Sequence, residues 1–154
     1  VFLRHDPQPD VTTVYLPGLC LGEVRSARDC VACLLRDEDP DIRDTATLLT
    51  SELAANALIH GDVRNAACPK SGRLAHIRPF HITVEILTRE ICVLVCGKGS
   101  RNARVRPKPQ HTWNETGHGL AWVEAMSTAW GTHGDRISRT VWFILDRASA
   151  PVVG

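Results

Sequence analysis

The chain has 154 residues and a net charge of +1, which makes it one domain at ~100–200 residues per domain. That balance excludes a strongly basic nucleic-acid binder and an acidic-tail protein, and 44% hydrophobic residues exclude disorder through low hydrophobicity. With 11 Gly and 9 Pro the chain is not fibrous, and no apolar run approaches the ~18 residues of a membrane span.

Residues 1–10 carry two Pro and no apolar signal-like run, and read as a flexible leader. Val11–Leu16 is a short β-branched strand broken by Pro17-Gly18. From Glu23 to about Arg36, apolar residues at Val24, Ala27, Val31 and Leu34/Leu35 follow the helical period. A second helix starts with Asp39 as cap and Pro40 in its first turn, runs to His60 and stops at Gly61. Its apolar stripe is Ile42, Ala46, Leu49, Leu53 and Ala57. Residues 62–79 form an irregular connector.

Phe80–Leu87 and Ile91–Cys96 then form a hairpin around Thr88-Arg89-Glu90. Residues 97–116 have no periodicity and carry five basic residues before Glu115, a long loop of the functional or mobile kind. Gly117–Ser127 reads as a helix, and Ala129–Thr132 with Thr140–Leu145 as a closing pair of strands. The body spans 11–146, and 147–154 is a tail. The fold class is α+β, a two-layer sandwich with helices on one face of a mixed, largely antiparallel sheet.

The cysteines are Cys20, Cys30, Cys33, Cys68, Cys92 and Cys96. Several sit in apolar runs, which suits reduced, mostly buried thiols in a cytoplasmic compartment. Cys30-x-x-Cys33 has the spacing of half a zinc site, but Cys92-x-x-x-Cys96 lies in a strand and makes a poor second half.

Three features can carry chemistry. Glu52, Asn56 and His60 fall at i, i+4 and i+8 on one stripe of the second helix, beside Leu49 and Leu53. They form either a solvated helix edge or, under a cleft, a carboxylate base with an amide suited to Mg²⁺. Gly117-His118-Gly119 enters a helix, where backbone N–H groups can hold an anion, or simply makes a turn. The basic loop, with Lys98, Arg101, Arg104, Arg106 and Lys108, can neutralise phosphates or remain solvated.

Taken in order, L-L-T-S-Glu52-L-A-A-Asn56-A-L-I-His60-Gly61, a hairpin, Gly97-Lys-Gly99, a long loop, Glu115-Thr116-Gly117-His118-Gly119-Leu120 and Thr140-V-W-F resemble the histidine-kinase-like (GHKL, Bergerat) ATPases. Within that superfamily the chain is similar to the small bacterial anti-sigma-factor serine/threonine kinases, over residues 11–146. The resemblance implies a Bergerat ATP-binding fold with ATP and Mg²⁺ as cofactors. It makes Glu52 the catalytic base and Asn56 the Mg²⁺ ligand. His60, Gly97, Gly99, Thr116, Gly117, His118, Gly119 and Leu120 would line the nucleotide site, residues 100–116 would be its lid, and Thr140 would lie near the adenine. It also implies an anti-anti-sigma protein or a sigma factor as partner and a homodimer, with no direct nucleic acid and no membrane. One position departs from the family: the Asp that accepts the adenine amine is Gly97 here, and no Asp stands between Val63 and Gly134. That departure leaves a second reading open, a non-catalytic member of the fold that works by binding a protein partner.

Overall fold

A computed structural model describes residues 8–59, 79–98, 119–135 and 137–147. The elements in chain order are β1 (Asp10–Leu16), α1 (Gly22–Leu34), α2 (Pro40–Ile59), β2 (Phe80–Ile86), β3 (Glu90–Lys98), α3 (Gly119–Met126), β4 (Ala129–Gly134) and β5 (Ser138–Asp146). Local chemistry sets several of the ends. Gly18 takes a positive φ of 71° at the break after β1, and its N–H and that of Leu19 donate to the Glu23 carboxylate at 2.6 and 3.1 Å. Asp39 caps α2 as expected, accepting the Asp41 N–H at 2.9 Å. Gly134, with a φ of 130°, closes the β4–β5 turn, where a side chain would run into the Ser138 carbonyl. Asp135 accepts the N–H groups of Ile137 and Ser138 in that turn, and those bonds hold its carboxyl below the usual range.

The five strands lie in the order β1-β2-β3-β5-β4. Every described pair is antiparallel, so the mixed sheet expected from the sequence is corrected. The reason lies in the connection between β1 and β2. Two successive helices return the chain to the end where β1 finished, and β2 then runs back beside it; a single crossover helix would have made the pair parallel.

The buried sheet residues, Leu16, Phe80, Ile82, Val84, Ile91, Val93, Val95, Phe143 and Leu145, all fall on one face by register. The helices cover that face, giving the two layers. On α2 the buried set is wider than the expected stripe: Ala46, Leu49, Leu53, Ala54 and Leu58 are buried along with Thr50. α2 is the central helix, touching α1, α3 and the sheet, so more than one side of it meets apolar neighbours. On the opposite sheet face the Trp142 indole lies over Gly131, where a Cβ would come within 2.6 Å of the ring.

Arg147, placed in the tail by sequence, is tied into the body. Its Nε and Nη2 donate to Glu38 at 2.9 and 2.7 Å, and its Nη1 donates to the Leu87 carbonyl at 2.7 Å. The pair is largely out of solvent, with side-chain exposures of 29% for Arg147 and 11% for Glu38. This fork joins the α1–α2 connector to the β2–β3 turn. Arg147→Ala would strand the Glu38 carboxylate, and hydrogen bonds to charged groups are worth ~1.5–3 kcal/mol. A stability loss of about that size is expected by urea denaturation with an unchanged m-value; a loss under 0.5 kcal/mol, the ordinary surface range of about ±0.5 kcal/mol, would show the fork to be a surface pair.

Candidate functional site

α2 spans twenty residues and carries both Glu52 and Asn56 one turn apart on the same side. Both are half-buried, so the face they occupy is neither open solvent nor sealed core. What approaches them is the first residue of α3. A Cβ built on Gly119 would stand 2.9 Å from the Glu52 Cβ, 2.9 Å from its Oε2 and 3.5 Å from the Asn56 Nδ2. Glycine is required here by close approach. The backbone at the N-terminal end of α3 rests against a carboxylate and an amide contributed from more than sixty residues earlier in the chain.

The sheet reaches the same helix one residue further along. A Cβ on Gly97, near the end of β3, would lie 3.2 Å from the Ala57 Cβ and 3.8 Å from the Phe80 Cβ. Gly97 therefore faces α2 beside Asn56. Its φ lies outside the left-handed region, so the position is available to other residues if the Ala57 contact can ease.

The structure thus brings together Glu52, Asn56 and Gly119 among the expected site residues, while Gly97 meets α2 at Ala57, the next residue after Asn56. Leu120 is partly buried and packs against the hydrophobic core. Thr140 is not brought to the group. It pairs with Cys96, and the row Tyr15, His81, Cys96, Thr140 and His133 crosses the sheet on the face away from α2. The residue of β5 that shares Gly97's face is its direct partner Arg139. The sequence reading did not single out Arg139, because Trp142 and Ile144 make the other face of β5 apolar as well, and only the register settles which face Arg139 takes. His60, Gly99, Thr116, Gly117, His118 and the expected lid at 100–116 lie outside the described residues.

Among the described residues the thiols of α1 and those of the sheet do not converge. Cys30 and Cys33 are on α1, whereas Cys92 and Cys96 lie on the sheet face without helices. Among the described residues no three or more His, Cys, Asp or Glu side chains group so as to hold a metal ion. The expectation of mostly buried thiols is corrected: Cys33 is exposed and Cys20, Cys30, Cys92 and Cys96 are half-buried. Desolvation, followed by the charges of Glu85 and Glu90, pushes the Cys92 thiol up to about 11. At pH 8 only about one part in a thousand would be thiolate, against a sizeable fraction at an ordinary pKa of ~8.5. Iodoacetamide should therefore label Cys92 on the order of 10²-fold more slowly than a free cysteine peptide, with the rate climbing steeply towards pH 11. Labelling at the peptide rate, read by mass spectrometry, would contradict this.

No protein-family profile matches the chain, and no curated protein matches it. No helix among the described residues is long and apolar enough to cross a membrane.

Proposed function

We propose that this chain is a regulatory protein of the Bergerat ATP-binding fold. In this reading it binds a Mg²⁺-bound purine nucleoside triphosphate, ATP in the family it resembles, and phosphorylates a serine or threonine of an anti-anti-sigma partner. The single observation that carries the reading is the seating of Gly119 on Glu52 and Asn56. A helix N-terminus offers unpaired backbone N–H groups to phosphate oxygens. The Asn56 amide oxygen is a hard donor of the kind Mg²⁺ accepts, and as a lone protein donor it suits an ion that keeps waters and shares phosphate ligands. When bound there, Mg²⁺ would neutralise charge on the phosphates.

Glu52, one turn away, would take the proton of the acceptor hydroxyl as that oxygen forms its bond to the γ-phosphorus. The bond from the γ-phosphorus to the bridging oxygen breaks, and the electron pair leaves with the nucleoside diphosphate. The surroundings go with this reading: a cytoplasmic protein acting as a homodimer on a sigma factor or its regulator, without direct nucleic-acid or membrane contact.

Gly97 favours a second reading. Without the family's Asp the adenine amine loses its acceptor, which costs ~1–3 kcal/mol. A member that binds nucleotide weakly or not at all would regulate by binding its protein partner. Calorimetric titration with Mg²⁺-nucleotide separates the two. In the first reading Asn56→Ala weakens binding about tenfold or more with Mg²⁺ present, since losing even an outer partner of a bound metal costs ~10–100-fold, and changes metal-free binding little. Equal losses with and without Mg²⁺ would remove Asn56 from the metal, and no heat with any nucleotide would leave the partner-binding reading.

A further inference from the structure

The sheet end of the proposed site is set up for donating a hydrogen bond. Gly97 and Arg139 are direct cross-strand partners on the face that meets α2. Directly opposed residues of an antiparallel pair have Cβ positions about 4.5–5.5 Å apart. The Nε of Arg139 is buried and has no hydrogen-bond partner among the described residues. A guanidinium keeps all its protons in proteins and has no acceptor of its own, so a buried N–H of this kind stays a donor seeking an oxygen or ring nitrogen. No acceptor among the described residues meets this Nε: position 97 has no side chain, and no Asp occurs between Val63 and Gly134.

A purine's six-membered ring differs at one informative atom. Adenine presents an amine, which needs an acceptor. Guanine and hypoxanthine present an oxo group beside N7, two acceptors that an arginine fork can take together.

Resting on the nucleotide-binding reading above, we infer that the site prefers a 6-oxopurine nucleotide, with a guanine or hypoxanthine base, over an adenine nucleotide. Arg139 is the residue that determines the specificity. Gly97 withholds the carboxylate that would otherwise pair with an amine and neutralise Arg139. Phosphate selectivity is left to α2 and α3, because Arg139 stands on the sheet beside Gly97.

The test is calorimetric titration of the full chain with Mg²⁺ complexes of GTP, ITP and ATP, and with Mg²⁺-tripolyphosphate as a probe lacking a base. A good bidentate arginine contact discriminates by roughly 5–150-fold, so GTP and ITP should bind tighter than ATP by a factor in that range. Arg139→Ala should erase the difference and leave tripolyphosphate binding unchanged. Arg139→Gln, which keeps most of the side chain's length and can both donate and accept, should narrow the preference without removing base binding; it guards against a fold lost in the alanine variant, and a thermal melt accompanies both. Gly97→Asp should move the preference towards ATP, and Ala57→Gly in the same chain relieves the 3.2 Å contact if the aspartate alone is too crowded.

Wild-type preference for ATP, or equal affinity for the three nucleotides, would overturn the inference while leaving nucleotide binding in place. A uniform loss for all four ligands on Arg139→Ala would show that Arg139 reads phosphate, and overturns it too. No binding of any of the four to the wild type would overturn the nucleotide reading and this inference together.

Discussion

In the proposed kinase reaction, Glu52→Gln is expected to lower phosphoryl transfer to the protein acceptor by ~10²–10⁴-fold, the usual worth of general-base help, while leaving nucleotide affinity nearly unchanged. The substitution keeps the side chain's shape, which matters because Oε2 lies against the first residue of α3. It removes the negative charge and with it the ability to take a proton. Half-burial would let Glu52, as the proposed base, reach an incoming hydroxyl directly or through one water. Single-turnover transfer from saturating Mg²⁺-nucleotide isolates the chemical step from binding. A glutamine variant that phosphorylates its partner at the wild-type rate would take Glu52 out of the mechanism. A variant that loses affinity in the same proportion as rate would make Glu52 a binding group instead.

The start of the second helix was readable from sequence because it is chemical. Asp39 caps it and Pro40 tolerates its first turn, and both do so in the fold. The pairing of Glu52 with Asn56 followed from helical spacing alone, but their meeting with Gly119 did not, since spacing says nothing about which distant backbone will approach. β3 ran past its expected end at Cys96 because Gly97 and Lys98 find partners in Arg139 and Ser138, a ladder that outweighs the weak strand preference of glycine. The β5 face was ambiguous for a different reason. Val141, Phe143 and Leu145 alternate with Trp142 and Ile144, so both faces look apolar, and the single-residue parity that puts Arg139 rather than Thr140 beside Gly97 is settled by register. Arg147 was invisible because a bidentate pair across 109 positions of chain leaves no local pattern.

Gly119→Val tests the one contact on which the site depends. By helix propensity alone, replacing glycine in α3 with valine would be neutral or mildly stabilising, by a few tenths of a kcal/mol. The contacts say the opposite. A Cβ here meets the Glu52 Cβ at 2.9 Å, an atom fixed to the α2 backbone that no rotamer can move aside. Valine adds two methyls at that crowded point, and overpacking of this kind costs ~1–3 kcal/mol. The strain is relieved by moving the start of α3 away from α2, and an ångström of displacement in a positioning element can cost ~10²-fold in rate. Gly119→Val is therefore expected to lower the unfolding free energy by about 1–3 kcal/mol and, in the proposed kinase reaction, phosphoryl transfer by about 10²-fold, with nucleotide affinity falling as well. Glu52→Gly in the same chain removes the opposing Cβ. The double variant should then be more stable than the sum of the two single changes by ~0.5–3 kcal/mol, the coupling expected of residues in contact, although it lacks the carboxylate that the proposed reaction needs. Stabilisation of the single variant, as propensity would have it, or strict additivity in the double, would show that α3 does not rest on Glu52, and the grouping of Glu52, Asn56 and Gly119 would lose its structural basis.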